Sequence, residues 1–492
     1  MSVHIIFEQL LFQGVSSVRR LVTDSREVRA GDVFLAYPGL VFDGRCYLRE
    51  AIGQGCFAVI YENVDGFVWP RGLVCPNVGH PNIVSSLGEI ACHVYNNPSS
   101  RMNITAVTGT DGKTTVVSWL AFLYGKCGYR GASIGTLGWG YPGRLFPHGL
   151  TTPNAVTLHD YLSDFEKQGI THVALEASSI GLEQDRLQCI DIDVAVLTNL
   201  HTDHMDYHKN RDNYARSKEL LFKRDFDCAV INSDDPFGQY LLSSHHVCNK
   251  ERVTFGLDPM FDHDISASEV VINDAGIRCK ISIFGEATPV VLPIRGQHNL
   301  YNFLAVLSTM VAHGLSWENI FPHVVNLPSL PGRFEPVHQD TDDCLVWVDY
   351  AHTPGAMSAV LKMVRGWLRD DQRLICIFGC GGERDRSKRS QMGLIACSLA
   401  DKVVITEDNP RGEDSGQIIF DILSGCNIKD SSVSVIPDRH DAIVNTILSA
   451  DIGDAVIIMG KGHENYQEIA SVRYPFSDQV VALKALRERN NL

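Results

Sequence analysis

The chain has 492 residues, of which 45% are hydrophobic and 21% are charged, so its composition is that of a folded globular protein and excludes a disordered or fibrous class. This length is too great for one hydrophobic core and predicts several domains. The formal net charge of −15 argues against a surface that binds nucleic acid by neutralising its phosphates, but it leaves room for local basic sites that bind small anions.

The N-terminal stretch MSVHIIFEQLLFQG predicts an amphipathic helix, because Glu8 and Gln9 interrupt its apolar residues and it lacks the basic region and the cleavage site of a secretory leader. No window approaches the ~20 consecutive apolar residues of a membrane-spanning helix, and we therefore expect a cytoplasmic protein. The 14 cysteines are scattered and form no C-x-x-C pair, which favours reduced thiols over disulfides or a zinc site.

Short β-branched runs alternate with longer amphipathic segments, and this alternation predicts an α/β fold with parallel sheets. The first hundred residues contain more turns and predict a smaller separate domain. Boundaries near Asn96–Arg101 and in the proline- and glycine-rich segment Leu327–Pro336 predict domains at residues 1–98, 99–333 and 334–492. The runs fall into two series and thus predict two larger sheets: Ile104–Val107, Val173–Leu175, Val194–Leu197 and Ala229–Ile231, then Leu345–Val348, Leu374–Phe378, Val403–Thr406 and Ala455–Met459.

The segment ITAVTGTDGKTTVVSWLAFLY contains an apolar strand, a glycine-containing loop and a helical pattern in that order. This order is typical of a phosphate-binding loop, in which backbone N–H groups and a helix N-terminus face the anion. Val107 stands where the general pattern has its first glycine, so the alternative is a turn that only caps a helix. The base-reading motif N-K-x-D of GTP switches is missing, which favours ATP. The residues predicted to bind its phosphates are Gly109, Thr110, Asp111, Gly112, Lys113, Thr114 and Thr115.

A series of motifs follows the order found in one family of ligases: GTDGKTT, TTPNAVTLH, EASSIGLEQDR, TNLHTDHMDYH, YARSKELLF, GQHNLYN, LPGRFE, VDYAHTPGA, GCGGERDRSKR, DNPR and GKGHENYQ. Over nearly its whole length the sequence resembles the Mur ligases of peptidoglycan synthesis. The resemblance implies a small N-terminal α/β domain for a UDP-sugar, a central P-loop-type parallel-sheet ATPase domain, and a Rossmann-like C-terminal α/β domain for an amino acid. It also implies that ATP converts a carboxylate to an acyl phosphate, which an amine then attacks.

The same resemblance implies a set of metal and nucleotide ligands. Thr114, Glu176 and His204 would hold Mg²⁺, the last two near the ends of predicted strands, where parallel sheets collect ligands. Lys218 would be carbamylated by CO₂ and would reach a second Mg²⁺, whereas taken alone it is typical of a solvated helix face. Lys113, His204 and Lys218 would thus serve catalysis. The resemblance assigns four residues to the ATP base, ribose and phosphates: Asn299, Asn302, Arg333 and Asp349. For Asn299, helix capping is the alternative.

For the UDP-sugar, the resemblance implies hydroxyl, amide and guanidinium groups that suit a diphosphate-linked sugar peptide. The chain departs from the family at Leu40-Val41-Phe42, where relatives often carry a polar loop near the uracil, and at Ile180, where relatives often read SSHG. The residues that the resemblance assigns are Ser25, Thr151, Thr152, Ser178, Gln184 and Arg186.

The incoming amino acid is expected to meet loops that each follow a predicted strand of the second series. Meso-2,6-diaminopimelate carries an amino and carboxyl pair at its distal end, whereas L-lysine carries only an ammonium there. Arg411 of TEDNPRGED suits the distal carboxylate because a guanidinium donates two parallel hydrogen bonds, and Glu464 suits the distal ammonium. Standing alone, this Asn-Pro stretch would be typical of an ordinary turn. The other implied contacts are Arg384, Asp408, Asn409, Pro410 and Gly460.

We therefore expect a monomeric ligase that requires ATP and Mg²⁺, acts on small molecules without nucleic-acid or membrane partners, and joins meso-diaminopimelate to the D-glutamate of a UDP-muramoyl dipeptide. One alternative is the same chemistry with L-lysine, which Arg411 disfavours, and another is a folate-polyglutamate ligase, which the N-terminal TDSR stretch disfavours. A nucleotide-binding scaffold without ligase activity is the alternative from a different class.

Overall fold

The structure, a computed structural model, describes residues 2–15, 17–39, 42–273, 275–337, 344–426 and 432–489. The chain divides into two compact units that are each discontinuous in sequence. The first unit comprises residues 1–108, 120–196 and 217–229, and the second comprises residues 109–119, 197–216 and 230–492. In the described ranges no helix is both long enough and apolar enough to cross a membrane.

The described residues form helices and strands that alternate along most of the chain. The helices are α1 (Val3–Phe12), α2 (Leu48–Gly53), α3 (Leu87–Tyr95), α4 (Lys113–Lys126), α5 (Ala155–Lys167), α6 (Ser179–Glu183), α7 (Met205–His208), α8 (Arg211–Phe222), α9 (Pro236–Ser243), α10 (Gln297–Ala312), α11 (Trp317–Val324), α12 (Pro354–Arg365), α13 (Ser387–Leu399), α14 (Ser415–Leu423), α15 (Arg439–Ser449) and α16 (Asp478–Arg489). The strands are β1 (Leu21–Val22), β2 (Val33–Ala36), β3 (Ala58–Glu62), β4 (Asn77–His80), β5 (Asn103–Thr108), β6 (Gly131–Gly135), β7 (Gly138–Tyr141), β8 (Arg144–Phe146), β9 (His172–Glu176), β10 (Ile192–Leu197), β11 (Phe226–Asn232), β12 (Glu251–Gly256), β13 (Ile265–Asn273), β14 (Gly276–Ile283), β15 (Glu286–Leu292), β16 (Glu335–Pro336), β17 (Leu345–Asp349), β18 (Leu374–Phe378), β19 (Lys402–Ile405), β20 (Val433–Val435), β21 (Ala455–Met459), β22 (Tyr466–Ile469) and β23 (Val472–Pro475).

In the first unit, β1 to β4 form a four-stranded sheet in sequence order, and each neighbouring pair is parallel. Strand β2 is buried on both faces: Val33 and Leu35 pack into one apolar cluster, and Phe34 and Ala36 into another. Helices α1 and α3 contribute to the first cluster and α2 to the second. Burial on both faces explains the uninterrupted apolar sequence VFLA.

The first unit also contains the strand that precedes the phosphate loop. Strand β5 pairs in parallel with β9, and β9 pairs in parallel with β6. Strands β6, β7 and β8 continue as antiparallel neighbours. This arrangement places the C-terminal residue of β9, Glu176, beside Val107 near the end of β5.

In the second unit, β12 pairs in parallel with β13, and β13, β14 and β15 form an antiparallel meander. A separate six-stranded sheet has the order β16-β17-β21-β18-β19-β20. All of its neighbouring strands are parallel except the short edge strand β16. One face packs on α12, α13 and α14 and the other on α15 and α16, as in a doubly wound fold.

The predicted α/β class with parallel sheets is confirmed, as are the N-terminal helix and the strand runs. In the second series β17 extends one residue further, to Asp349, and β19 runs from Lys402 to Ile405, one residue earlier than predicted at both ends. The Thr406 side chain donates to the carbonyl of Pro437. Strands β17, β18, β19 and β21 end at one edge of the six-stranded sheet. The motifs VDYAHTP, GCGGERD, TEDNPR and GKGHE follow these four ends.

Candidate active site

Two glycines give the phosphate loop its shape. Gly109 has a φ of +149° and Gly112 a φ of +86°, a region that side chains rarely adopt. A Cβ atom at Gly109 would lie 1.8 Å from Oγ1 of Thr198, and one at Gly112 would lie 2.2 Å from Oδ1 of Asn302. Both positions therefore require glycine, for backbone and for packing reasons.

The segment after β10 holds this loop through backbone and side-chain hydrogen bonds. The N–H of Thr110 donates to the carbonyl of Asn199 (3.0 Å), and the N–H of Asp111 donates to Oδ1 of the same asparagine (2.9 Å). Thr198 Oγ1 donates to the carbonyl of Asp111 (2.7 Å). The Asp111 carboxylate lies 3.0 Å from Nδ1 of His201, so it pairs with a histidine of the segment that holds the loop.

Lys113 lies over the loop that precedes it. Its Nζ donates to the carbonyls of Gly109 and Thr110, both at 2.8 Å. Thr114 and Thr115 begin helix α4 and are both buried. The predicted order of strand, loop, lysine and helix N-terminus is thus present.

Three of the residues predicted to contact ATP lie together beside the loop. Asn302 Nδ2 donates to Oδ1 of Asn299 (3.1 Å), one helical turn away on α10. Arg333 Nη2 donates to Oγ1 of Thr114 (3.2 Å), and its guanidinium lies 4.4 Å from the ring centre of Tyr350. The linker arginine therefore reaches the first turn of α4.

A cavity next to these residues is lined by apolar and polar side chains together, and its polar residues are Thr115, Arg295, Asn299, Ser329 and Arg333. Trp119 closes one side, and its Nε1 donates to the carbonyl of Pro328 (3.0 Å). The lining includes Thr115, Trp119, Pro293, Ile294, Asn299, Pro328, Leu330 and Arg333.

Asp349 uses both carboxylate oxygens on the backbone. Oδ2 accepts from the N–H of Phe334 (2.6 Å) and Oδ1 from the N–H of Ala351 (2.7 Å). Burial raises the pKa of this carboxyl. In this conformation Asp349 holds the segment that carries Arg333, and its predicted contact with the nucleotide stays a prediction.

A buried carboxylate that the sequence analysis missed lies next to the predicted metal ligand His204. The Asp203 side chain is 5% exposed and lies 3.3 Å from Lys388 Nζ, 3.5 Å from His204 Nε2 and 3.7 Å from His352 Nε2. Burial alone would raise the pKa of Asp203, but attraction to His352, Lys388 and His204 outweighs it and holds the pKa well below its usual range. The available signal was an acidic residue between two histidines at the end of a strand, in HTDH.

In the first unit, Glu176 is buried and bound to a residue that the sequence analysis also missed. Its Oε1 accepts from the N–H of Thr136 (2.7 Å) and its Oε2 from the Thr136 hydroxyl (3.2 Å). Lys218 of α8 is 1% exposed, so the alternative of a solvated helix face is wrong. Of the predicted Mg²⁺ ligands, Glu176 and Lys218 belong to the first unit and Thr114 and His204 to the second, and the set of four stays a prediction.

Most of the predicted UDP-sugar residues form one hydrogen-bonded group in the first unit. Thr152 Oγ1 contacts the carbonyl of Glu176 (2.7 Å) and Oγ of Ser178 (2.9 Å). Arg186 Nη1 donates to the carbonyl of Thr152 (2.6 Å), and its Nη2 donates to Oε1 of Gln184 (2.7 Å).

The remaining predicted UDP-sugar residues have other partners. Thr151 Oγ1 lies 3.2 Å from Oγ1 of Thr136, whereas Ser25 donates to Oε2 of Glu50 (2.9 Å). In the stretch Leu40-Val41-Phe42, the first two residues lie outside the described ranges and Phe42 is exposed.

The loop DNPR is fixed to two other segments at the edge of the six-stranded sheet. Arg411 has a φ of +53°, its N–H donates to the carbonyl of Glu468 on β22 (3.0 Å), and its Nη1 donates to the carbonyl of Gly382 (2.7 Å). The N–H of Gly382 donates in turn to the carbonyl of Asn409 (2.9 Å). The predicted convergence of the GGERD, DNPR and GKGHE loops is therefore present.

The other predicted amino-acid contacts line the same edge. A Cβ at Gly381 would lie 3.0 Å from Arg411 Nη1 and 3.5 Å from Cγ of Arg384, so the two arginines flank this glycine. Gly460 has a φ of +113°, and a Cβ there would lie 2.5 Å from Oδ2 of Asp408. The close approach of a carboxylate explains why position 460 is glycine.

Asn409 and Glu464 are linked by a residue that the sequence analysis did not single out. Asn409 Nδ2 donates to Oε2 of Glu464 (2.8 Å). The Nζ of Lys461 donates to Oδ1 of Asn409 (2.9 Å) and to the same oxygen of Glu464 (3.0 Å). Lys461 is fully buried.

Two fully buried arginines hold these loops in place through hydrogen bonds. Arg389 makes two 2.8 Å hydrogen bonds to Glu413, which follows DNPR, and donates to the carbonyl of Gly381 (3.2 Å). Arg439 makes two 2.8 Å hydrogen bonds to Asp478. It also donates to the carbonyl of Glu407, which follows β19 (3.1 Å), and to the carbonyl of Met459, the last residue of β21 (2.9 Å).

Comparison with known families matches two parts of the chain. The Mur ligase middle domain matches residues 107–310, and the Mur ligase, glutamate ligase domain matches residues 332–462.

Known relatives match over nearly the full length. A Xylella fastidiosa protein named UDP-N-acetylmuramoyl-L-alanyl-D-glutamate–2,6-diaminopimelate ligase is 41% identical over 470 residues, which are 95% of this chain and 93% of the relative. A Pseudomonas putida protein of the same name is 38% identical over an alignment 485 positions long, which covers 95% of each chain.

Solved structures agree with these matches. A structure of a ligase of that name has a TM-score of 0.65 and 34% identity, and the alignment covers 96% of this chain and 95% of the other. The MurF ligase of Thermotoga maritima in complex with ADP shares the fold, with a TM-score of 0.67, 20% identity and coverage of 96% and 97%. These matches, together with the phosphate loop and the converging loops of the six-stranded sheet, show that the chain belongs to the Mur ligase family.

Proposed function

We propose that this chain is the ATP-dependent ligase that joins meso-2,6-diaminopimelate to the D-glutamate of UDP-N-acetylmuramoyl-L-alanyl-D-glutamate, and that it acts as a monomer in the cytoplasm in peptidoglycan precursor synthesis. Relatives that carry this name match 95% of the chain at up to 41% identity. The observation that carries the choice of amine is Arg411, whose N–H is held by Glu468 and whose guanidinium is held by Gly382. It lies two residues after Asn409, which donates to Glu464.

The reaction begins with the D-glutamate carboxylate, which is a poor electrophile. Transfer of the γ-phosphoryl group of ATP to this carboxylate makes an acyl phosphate and leaves ADP. The amine then attacks the acyl carbon, an amide bond forms, and inorganic phosphate leaves with the C–O bond electrons. The loop Gly109–Thr115 supplies backbone N–H groups for the phosphates, and Lys113 supplies a cation that can leave the loop carbonyls for the outer phosphates.

Two of the three donors proposed for Mg²⁺ fit that ion, because a threonine hydroxyl and a carboxylate offer the oxygen atoms that it prefers. Thr114, Glu176 and His204 would hold it, and when bound it would neutralise charge on the transferring phosphoryl group. We assign Lys218 to a second Mg²⁺ as a carbamate. Reaction of its neutral amine with CO₂ forms an N–C bond and releases one proton, and the buried side chain then ends in a carboxylate-like anion.

The amino-acid site is assigned to the loops at the edge of the six-stranded sheet. Arg411 would bind the distal carboxylate of diaminopimelate and Glu464 its distal ammonium, and Arg384 and Asn409 would complete the site. L-lysine lacks the carboxylate and would leave a guanidinium that is 17% exposed without an anion from the substrate. The UDP-sugar is assigned to the hydrogen-bonded group around Thr152 and Arg186, together with Ser25.

The test measures ADP formation by the purified chain with ATP, Mg²⁺ and the UDP-muramoyl dipeptide. Meso-diaminopimelate should give ADP release that depends on both co-substrates, with a kcat/KM at least about a hundredfold above that for L-lysine. Arg411→Ala should raise the KM for diaminopimelate roughly a hundredfold and leave the KM for ATP nearly unchanged. The exposed Arg369→Ala is the matched control.

Two results would contradict the proposal. A preference for L-lysine would reverse the assignment of Arg411. ADP release that does not respond to the dipeptide and the amine together would favour the nucleotide-binding scaffold.

A further inference from the structure

Lys461 is a fully buried cation within the amino-acid loops, and the reaction described above does not use it. It lies two residues after the end of β21, with its Nζ 2.9 Å from Oδ1 of Asn409 and 3.0 Å from Oε2 of Glu464. The ring of Tyr466 lies 5.5 Å from the same nitrogen. Lysine is almost never fully buried without a charged partner, so this placement requires the Glu464 carboxylate.

The contacts of Asn409 show what Lys461 does to its neighbours. The amide oxygen accepts from Lys461 and from the N–H of Glu468 (2.9 Å), and the amide nitrogen donates to Glu464 (2.8 Å). Two donors face the oxygen and one acceptor faces the nitrogen, which fixes the orientation of the amide. Lys461 therefore holds Asn409 and Glu464 as one group. Asn409 lies two residues before Arg411 in the chain.

The charges of the same group affect which amine is favoured. Glu464 is paired with Lys461, while Glu468 lies 3.9 Å from Nε of Arg411. A substrate with a lone distal ammonium must compete with Lys461 for Glu464. A substrate that also carries a distal carboxylate gains a contact with Arg411. Its affinity therefore falls less from the competition with Lys461 for Glu464.

We propose that Lys461 is a positioning and specificity-determining residue for the amino-acid substrate, an inference that rests on the proposed function. It orients Asn409 and Glu464 toward the distal end of the substrate, and its charge disfavours an amine whose distal end is a single cation. The substrate class that it favours is a diamino dicarboxylic acid.

The test compares Lys461→Gln and Lys461→Arg with the wild-type enzyme, using diaminopimelate and L-lysine at saturating ATP and dipeptide. Lys461→Gln should raise the KM for diaminopimelate roughly ten- to hundredfold, because a buried carboxylate loses its charged partner. The ratio of kcat/KM for diaminopimelate to that for L-lysine should fall at least about tenfold, since the unpaired Glu464 attracts a lone ammonium more strongly. Lys461→Arg keeps the charge and should keep this ratio within about threefold of wild type.

Thermal unfolding with and without ATP checks that each variant is folded, and Lys362→Gln, which removes an exposed lysine of α12, is the matched control. The proposal is overturned if folded Lys461→Gln keeps the wild-type selectivity ratio, or if Lys461→Arg loses selectivity as completely as Lys461→Gln. Failure of the proposed function would instead be seen in the wild-type enzyme, as ADP release that does not depend on diaminopimelate.

Discussion

Lys218 is a buried cationic residue on a helix whose sequence, RDNYARSKELLF, is mostly polar. If it carries a carbamate, Lys218→Ala should lower kcat by about 10²-fold or more, because an anion that holds the metal is lost. Added formate or acetate should restore part of the activity by supplying a small carboxylate to the space that the substitution leaves. With ¹³C-labelled bicarbonate, the wild-type enzyme should show a carbamate carbon resonance that Lys218→Ala lacks.

Lys223→Ala is the matched control for this substitution, since Lys223 lies just beyond the same helix and pairs with Glu219 at 2.9 Å. It should keep nearly full activity. Full activity of Lys218→Ala in buffer depleted of CO₂ would contradict the carbamate assignment.

The loop between β19 and α14 is a structural element whose position depends on charges. Glu413 accepts two hydrogen bonds from Arg389, and this pairing lowers the pKa of Glu413 to about 2. A carboxyl whose pKa is lower in the folded state adds stability above its unfolded pKa of about 4.5, and this stability is lost as the pH falls from there toward 2. Glu413→Gln should therefore lower the melting temperature at pH 7, and the difference from wild type should shrink steadily between pH 4.5 and pH 3.

Melting curves recorded across this pH range with Glu488→Gln as the control separate the loop contribution from general effects of charge, because Glu488 is an exposed residue of α16. A difference between wild type and Glu413→Gln that stays constant from pH 7 to pH 3 would contradict the role of the Arg389 pair.

The elements that the sequence predicted well are those whose physical cause is local. Strands such as β18 and β21 are buried on both faces, so they appear in the sequence as uninterrupted apolar runs. The carboxyl ends of parallel strands lie at one edge, and this rule predicts that DNPR, GGERD and GKGHE lie together.

The residues that the sequence analysis missed act through contacts between distant segments. Asp203 and Lys388 are separated by 185 positions, and no local pattern indicates that they meet. Lys461 and Arg389 look like polar loop and helix residues, yet both are buried. Arg389 pairs with Glu413, 24 positions later, and Lys461 donates to Asn409, 52 positions earlier, as well as to the nearby Glu464. The burial of Lys218 could not be predicted either, because its helix pattern is typical of an exposed residue and the fold buries it.

The proposed nucleotide site draws on segments far apart in the chain, and Arg333 is the residue that joins two of them. It donates to Thr114, 219 positions earlier, and lies over the ring of Tyr350. ATP that binds only the folded chain stabilises it by RT ln(1 + [ATP]/Kd), about 2.7 kcal/mol at a hundred times Kd. If Arg333→Ala weakens ATP binding tenfold, this stabilisation should fall by about 1.3 kcal/mol at the same ATP concentration.

The measurement is the shift in melting temperature caused by Mg²⁺ and ATP, in wild type, Arg333→Ala and the exposed control Arg252→Ala. The shift should be smaller only in Arg333→Ala, and the KM for ATP should rise while the KM for diaminopimelate changes little, because Arg333 lies beside the phosphate loop and not among the amino-acid loops. An unchanged ATP-induced shift in Arg333→Ala would exclude the guanidinium from ATP binding and leave it a structural role, through its hydrogen bond to Thr114 and its contact with the Tyr350 ring.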